Sequence, residues 1–147
     1  RRAVLLSADE RRVPNPLPHG VGYFGYLPLS TILPRCAAFV HHGGLGSLSQ
    51  GLAAGVPQVT IPRFMDQPDN SRHLEALGVS RNLDPRRMTS ETLAGALSEL
   101  ISSPLAKERC QTLKARVQSE VPFAIASEAV EQVARLSRLK VRQPVLC

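Results

Sequence analysis

The chain has 147 residues, about the length of one domain, and 43% of them are hydrophobic, which excludes an intrinsically disordered protein. Lysine and arginine outnumber aspartate and glutamate by 18 to 12, and the net charge of +6 favours anionic partners of any kind. The basic residues are scattered and no RNA-recognition, KH or zinc motif is present, so we expect no nucleic-acid partner.

Short apolar runs alternate with helical patterns along the first part of the chain. In chain order, the predicted elements are strands over 3–7 (buried) and 21–28, a short helix or turn over 30–36, a strand over 36–41, a helix over 46–54, a strand over 58–62, a helix over 69–78 and a strand over 79–83. Gly55 and Gly78 are predicted to end the two longer helices, and Asp69 to cap the second. This alternation predicts an α/β fold, a parallel sheet with helices on both faces.

The last third of the chain is helical in pattern, from about residue 89 to residue 139. Pro104 suits the first turn of the second of three helices, because its missing N–H costs nothing there. The final helix is predicted over 122–139. The apolar faces of the three helices are Leu93, Leu97, Leu100 and Ile101; then Ala106, Cys110, Leu113 and Val117; and then Ile125, Ala129, Val130, Val133 and Leu136.

Several features bear on the setting of the protein. Cys36, Cys110 and Cys147 are odd in number and widely spaced, so they predict neither a disulfide framework nor a metal site and favour a cytoplasmic protein. No run of about 18 apolar residues is present, so we expect no membrane span, and no signal peptide is visible. The chain begins RRAVLL without a methionine, and we expect it to be a piece of a longer protein.

The segment FVHHGGLGSLSQGLAAGVPQ, residues 39–58, carries the clearest chemical pattern. His41 and His42 end a predicted strand at the carboxyl edge of the sheet, where ligands of α/β proteins bind. The glycines at 43, 44 and 46 allow a sharp turn and a close approach of backbone to ligand. The next helix directs its unbonded N–H groups and its positive dipole end to the same place. The segment therefore predicts an anion site that suits a phosphate.

The two histidines have different expected roles. His42 can donate a ring N–H to the anion, and the Ser47 hydroxyl can add a hydrogen bond in the first turn of the helix. His41 is more typical of a residue that ends a strand and makes a local hydrogen bond.

A second group of polar residues follows the next strand. Asp66, Gln67 and Asn70 lie in PRFMDQPDN. A carboxylate accepts hydrogen bonds from sugar hydroxyls, and an amide can both donate and accept, so this pair suits a hydroxyl-rich ligand. Tyr26, just before a proline turn, offers a flat face for stacking on a base.

Together, these residues resemble a known family. HHGGLGSLSQGLAAGVPQVTIPRFMDQPDN closely resembles the donor-binding signature of the UDP-glycosyltransferase superfamily, and the match extends over Tyr26 to Ser71, about a third of the chain. The resemblance implies the GT-B architecture, in which two Rossmann-like domains face each other across a cleft. Residues 1–147 are then the C-terminal, donor-binding domain, and its opening strand and the N-terminal domain are expected to lie outside this chain.

The resemblance assigns roles around the donor diphosphate and its sugar. His42 is implied to contact the diphosphate and to stabilise it as the leaving group, which is a catalytic role. Asp66 and Gln67 are implied to hold the hydroxyls of the transferred sugar. The loop that cradles the diphosphate through backbone amides and a hydroxyl is Gly44, Leu45, Gly46 and Ser47.

The remaining implied contacts are with the nucleoside. Tyr26 stands where the plant branch of the family has a base-stacking tryptophan, and the Leu29 backbone would lie beside the base edge. Gln50 stands where that branch has a glutamate on the ribose hydroxyls. This difference leaves the choice between a UDP-sugar and a dTDP-sugar open.

The activity implied by the resemblance is that of an inverting hexosyltransferase, a glycosyltransferase that moves a hexose from a UDP- or dTDP-sugar to an acceptor hydroxyl. No metal or other cofactor is expected. The general base and the site for a small-molecule, lipid or natural-product acceptor are expected in the N-terminal domain, so this chain alone is expected to be inactive. The alternatives are a sugar-nucleotide epimerase or a peptidoglycan-precursor transferase of the same architecture, or a non-enzymatic anion-binding module.

Overall fold

The computed structural model describes residues 2–119 and 122–140. The strands are β1 (Ala3–Leu6), β2 (Val21–Phe24), β3 (Phe39–His41), β4 (Gln58–Thr60) and β5 (Ser80–Asn82). The helices are α1 (Leu29–Ile32), α2 (Leu45–Ala54), α3 (Gln67–Ala76), α4 (Ser90–Ser102), α5 (Pro104–Ser119) and α6 (Pro122–Lys140). Short 3-10 turns at Glu10–Arg12 and Leu33–Arg35 complete the order, which confirms the predicted alternation of strands and helices.

All strand pairs are parallel. β1 pairs with β2, and β3, β4 and β5 form a second ladder in that order. In the second ladder His41 lies opposite Thr60, and Thr60 lies opposite Asn82. The carboxyl ends of these three strands therefore meet at one edge.

Helices cover both faces of the three-stranded ladder, as predicted. Val59 of β4 is fully buried in a cluster with Ala96 and Leu100 of α4 and Ala106 of α5. Successive side chains of a strand point to opposite faces. Gln58, next to Val59, is accordingly directed to the other face, where its side-chain Nε2 donates to a carbonyl of α2. On that face the apolar cluster is Leu48, Leu74, Val79 and Cys110, with Leu52 and Leu113 against it.

The ends of the helices follow the glycine and proline signals, with one exception. Gly55 and Gly78 adopt left-handed φ values of 71° and 72° after α2 and α3, as predicted, and α5 starts at Pro104. However, α3 begins at Gln67 with Asp66 at its N-cap position, so the predicted cap at Asp69 is wrong. The Asp69 carboxylate instead pairs with Arg72 and His73 on the surface of the helix.

Two predicted apolar faces are exposed. Val4 and Leu6 of β1 are 46% and 37% exposed, so the prediction of a buried first strand is wrong. In α6 the expected stripe is present, but Val130, Val133 and Leu136 are 69%, 64% and 56% exposed; the side chain of Ile125 lies outside the described residues. A local apolar pattern identifies an element but does not determine what covers it. In α4, by contrast, Leu93, Leu97 and Leu100 pack into the core as predicted.

Candidate functional site

The predicted anion site lies at the carboxyl edge of the three-stranded ladder. β3 ends at His41, the exposed His42 follows, and α2 starts at Leu45, which is 64% exposed. Gly43 adopts a φ of +85°, a conformation that favours glycine. Apart from the buried Gly43, the bend formed by residues 42–47 is accessible from solvent at the edge where α/β proteins bind ligands.

The start of α2 offers several unbonded amides. The Leu48 N–H is the first to bond within the helix, to the Gly44 carbonyl oxygen at 3.0 Å. Gly44 is the N-cap residue, and no side chain makes a capping hydrogen bond to the helix. The N–H groups of Leu45, Gly46 and Ser47 therefore point out of the helix end with its positive dipole. A Cβ added at Gly46 would have no other atom within 4 Å, so the approach to these donors is open. Such a helix end binds anions.

Close contacts fix the shape of the bend. The His42 ring lies over Gly44, where an added Cβ would come within 2.5 Å of the ring Nε2. A Cβ at Gly43 would lie 2.5 Å from the Ser71 Oγ and 3.1 Å from the Gln67 carbonyl oxygen. Other groups already occupy the space that a Cβ would need at Gly43 and at Gly44. Only glycine therefore fits there without displacement of α3 or of the His42 ring.

His41 is turned into the domain. The Gly43 N–H donates to its Nδ1 at 3.0 Å, and its ring is stacked on Phe39 with 4.6 Å between centroids. Since Nδ1 is an acceptor, Nε2 carries the proton and donates to the Gln58 Oε1 at 2.7 Å. Burial is the main cause that lowers the pKa of His41 to about 4; the Gln58 hydrogen bond opposes this shift and the charge of His42 adds to it. The predicted local role of His41 is confirmed.

The second polar group is joined to the bend through Asn70. Its side-chain Nδ2 donates to the Asp66 Oδ2 at 2.7 Å and to the Gly43 carbonyl oxygen at 3.2 Å. The Asp66 carboxylate is exposed at the start of α3. The structure thus brings the predicted diphosphate and sugar residues together at one edge.

Gln67 lies behind this surface. It is only 7% exposed, and its Oε1 accepts hydrogen bonds from the backbone N–H groups of Arg63 at 3.0 Å and Phe64 at 3.4 Å. Its amide oxygen therefore fastens the loop that follows β4. In that loop Phe64 and Met65 are 61% and 83% exposed, and Met65 has a left-handed φ of 59°. The sequence analysis did not identify these two exposed residues, and methionine gives no signal for a positive φ.

The residues predicted to contact the nucleoside lie just after β2 and on α1 and α2. Tyr26 follows β2 and is 80% exposed, so its ring faces solvent. Leu29 is the first residue of α1. Gln50 of α2 lines a groove of about 210 Å³ together with Ser30 of α1 and Lys114 of α5. Gln50 therefore lies on the face of α2 that is turned toward α1.

The described ranges, 2–119 and 122–140, contain no cluster of three or more histidine, cysteine, aspartate or glutamate side chains suited to a metal ion. None of their helices is both long enough and apolar enough to cross a bilayer. The groups that this edge presents are helix-end amides, an exposed imidazole and a carboxylate. They are suited to an anion with a hydroxyl-rich neighbour.

Comparison with known proteins gives a consistent result. Residues 3–133 match the family model described as Erythromycin biosynthesis protein CIII-like, C-terminal domain. A curated relative, aklavinone 7-beta-L-rhodosaminyltransferase from Streptomyces galilaeus, is 33% identical over 135 residues. That match covers 92% of this chain and 30% of the relative, so the chain spans about a third of its length.

Solved structures agree in fold. The glycotransferase of kitacinnamycin superposes with a TM-score of 0.81 at 30% identity, over 89% of this chain and 34% of that one. The glycosyltransferase VinC, solved in complex with dTDP, superposes with a TM-score of 0.67 at 28% identity, over 71% of this chain and 26% of VinC. Both neighbours are GT-B glycosyltransferases, and the chain matches their C-terminal part.

Proposed function

The chain belongs to the family of Erythromycin biosynthesis protein CIII-like C-terminal domains, a sugar-donor domain of the UDP-glycosyltransferase superfamily, and we propose that it binds a dTDP- or UDP-hexose. We further propose that the whole enzyme transfers the hexose, with inversion, to an acceptor hydroxyl. The observation that carries this proposal is the uncapped start of α2, where three unbonded amides lie beside the exposed His42 at the ligand edge.

The diphosphate of the donor is assigned to this helix end. The N–H groups of Leu45, Gly46 and Ser47 donate to its oxygens, and the Ser47 hydroxyl and the His42 ring N–H add side-chain donors. The net charge of +6 favours approach of the dianion. Each charge-assisted hydrogen bond is expected to contribute about 1.5–3 kcal/mol when solvent is excluded.

The sugar is assigned to the start of α3. The Asp66 carboxylate is held by Asn70 at 2.7 Å, and its other oxygen can accept from a hexose hydroxyl. The buried Gln67 supports the neighbouring loop through two hydrogen bonds from backbone N–H groups.

The proposed chemical step is an in-line attack of the acceptor oxygen on the anomeric carbon. The bond from that carbon to the diphosphate breaks, and negative charge develops on the departing phosphate oxygen. Helix-end amides and the His42 N–H that are already in place stabilise this charge without reorganisation. The acceptor proton is taken by a base that the family resemblance implies in the N-terminal domain.

The nucleotide is assigned from two observations. VinC is solved with dTDP, which supports a deoxythymidine diphosphate donor by similarity. Gln50, exposed on α2 next to the groove shared with Ser30, replaces the acidic residue expected on ribose hydroxyls. A neutral amide makes a weaker hydrogen bond to a hydroxyl than a carboxylate does. We therefore favour dTDP, which lacks the 2′-hydroxyl, over UDP as the nucleotide of the donor.

Calorimetric titration of this chain tests the proposal. We expect dTDP and UDP to bind with dissociation constants of roughly tens of µM to mM, because only one side of a two-domain cleft is present. Thymidine, which lacks the diphosphate, is the matched control and should bind much more weakly. Absence of heat with both diphosphates at mM concentration, or equal binding of thymidine, would refute the proposal.

A further inference from the structure

A series of three hydrogen bonds, two of them half-buried and the last fully buried, lies directly behind the proposed diphosphate site. The Gly43 N–H donates to His41 Nδ1 at 3.0 Å, and His41 Nε2 donates to Gln58 Oε1 at 2.7 Å. At its other end the Gln58 Nε2 donates to the Leu48 carbonyl oxygen at 3.5 Å. This series of hydrogen bonds therefore begins at the bend, passes from β3 to β4, and returns to α2 at Leu48.

Gln58, in the middle of this series, occupies a position where an apolar side chain would ordinarily pack. Gln58 is fully buried, and burial of an amide is unfavourable unless its hydrogen bonds are made. Room for it is provided by Gly51, where an added Cβ would lie 2.6 Å from the Gln58 Nε2. Glycine inside a helix is itself unfavourable. Two unfavourable choices at contacting positions indicate that this polar connection has a role beyond core packing.

The hydrogen-bond series determines which atom donates and which atom accepts at each of its positions. Gln58 Nε2 faces a carbonyl oxygen, so Oε1 faces His41 and requires a proton on Nε2. His41 Nδ1 then has a lone pair for the Gly43 N–H. On the other side of the same residue, Asn70 donates to the Gly43 carbonyl oxygen at 3.2 Å. Gly43 is thus held at both of its backbone polar groups, one residue before the N-cap of α2.

We propose that His41 and Gln58 are positioning residues that hold the Gly43 peptide so that the amides of Leu45, Gly46 and Ser47 point at the donor diphosphate. Neither side chain contacts the donor, since the Gly43 N–H and the two side chains satisfy one another. This inference rests on the function proposed above, because the benefit of a fixed bend is a preorganised anion site.

Two replacements of His41 separate positioning from stability. His41→Phe keeps a ring against Phe39 but removes the acceptor for the Gly43 N–H. His41→Asn loses the ring stacking but restores an acceptor, because an asparagine oxygen bonds the N–H two residues ahead of it. We expect His41→Phe to raise the dTDP dissociation constant about tenfold and His41→Asn to raise it less than about threefold.

Thermal unfolding should show the reverse order, with His41→Asn less stable than His41→Phe because it loses the stacking on Phe39. A purely structural role predicts that affinity follows stability instead. If both variants bind dTDP as the unmodified chain does, or if His41→Asn binds more weakly than His41→Phe, the inference is wrong. Failure of the unmodified chain to bind dTDP would refute the proposed function itself, so the two outcomes are distinguishable.

A second variant decides the matter if His41→Phe does not fold. Gln58→Met replaces the amide with an unbranched apolar side chain of similar length and leaves His41 Nε2 without its acceptor. We expect dTDP to bind several-fold more weakly to a folded Gln58→Met chain, with a changed chemical shift for the Gly43 amide proton. Unchanged affinity and an unchanged Gly43 shift would overturn the inference.

Discussion

Two helices, α2 and α3, begin at the same edge of the three-stranded ladder and offer different groups there. Neither helix has a side-chain cap hydrogen bond, and α2 leaves the amides of Leu45, Gly46 and Ser47 unbonded within the helix. At the start of α3 the Gln67 N–H donates to the Phe64 carbonyl oxygen at 3.4 Å, and Pro68 has no N–H. The exposed carboxylate of Asp66 stands at that end.

The difference explains how two parts of one donor can be sorted at adjacent positions. An anion is attracted to the open amides of α2, whereas the carboxylate at α3 repels it and accepts from hydroxyls. Asn70, which bonds both Asp66 and Gly43, keeps the two sites at a fixed separation. Neither end has a side-chain cap, so α2 is the anion site because three of its amides are unbonded and no carboxylate stands at its start.

The largest effect is expected from removal of one helix-end amide. Leu45→Pro deletes the first N–H of α2 in a position that suits proline, because Gly44 already has the extended φ and ψ of −66° and 141°. Leu45→Ala is the matched control, since it removes the same exposed side chain and keeps the N–H. Calorimetry should show dTDP binding roughly ten- to a hundredfold weaker for Leu45→Pro than for Leu45→Ala. Equal affinities would remove the assignment of these amides.

Acid should destabilise the α2 side through His41. Its pKa is about 4 when folded, against an ordinary value of 6.5, so the unfolded chain takes up the proton first as the pH falls. Stability is unaffected above pH 6.5 and is lost between pH 6.5 and 4. The ring is faced by Phe39, the Gly43 N–H and the neutral Gln58, and His42 is the titratable group that acts on it.

Urea unfolding of the chain and of His41→Asn at pH 7 and pH 5 measures this contribution. The unmodified chain should lose about 2 kcal/mol more than His41→Asn between these values, because the other titrating groups are common to both. Parallel losses in the two chains would show that His41 does not titrate in this way.

A smaller change is expected at His42. Its replacement by alanine removes a side-chain donor from the diphosphate but leaves the helix-end amides in place, so dTDP should bind about tenfold more weakly. His73→Ala, an exposed histidine on α3, serves as the control and should bind dTDP normally. If the two variants behave alike, the imidazole beside Gly44 is not a diphosphate ligand.

The smallest effect is expected at the α3 end and only with the sugar attached. Asp66→Asn should weaken binding of dTDP-glucose about fivefold and leave binding of dTDP unchanged, because the carboxylate faces the hexose and not the phosphates. Asp69→Asn, one turn further along the same surface, is the comparison variant. Loss of affinity for both ligands in Asp66→Asn would mean that the side chain supports the bend through Asn70 instead.

The sequence predicted the α2 end more accurately than the α3 end, for a physical reason. Glycines at 43, 44 and 55 and a strand that ends in two histidines are local signals, and α2 starts within one residue of its prediction. The start of α3 depends on the positive φ of Met65 and on the buried Gln67, whose partners are the backbone groups of Arg63 and Phe64. Such tertiary contacts are not encoded in a local pattern.

The connection behind the bend was hidden from sequence analysis for the same reason. The segment QVTIP predicted a strand, and Gln58 carried no further signal in it. The importance of Gln58 follows from its contacts with Gly51 on α2 and His41 on β3. These residues lie seven and seventeen positions earlier in the sequence. The exposed faces of β1 and α6 show the same limit, because a local apolar pattern does not predict which neighbour covers an element.

The most direct test of the α2 site is an NMR titration of the chain with dTDP, followed through its backbone amide resonances. The largest shifts should fall on Leu45, Gly46 and Ser47, with a smaller shift at Gly43, because that N–H remains bonded to His41. If dTDP leaves the three helix-end amides unmoved, or moves those at the start of α3 more, the assignment of the diphosphate to α2 is contradicted.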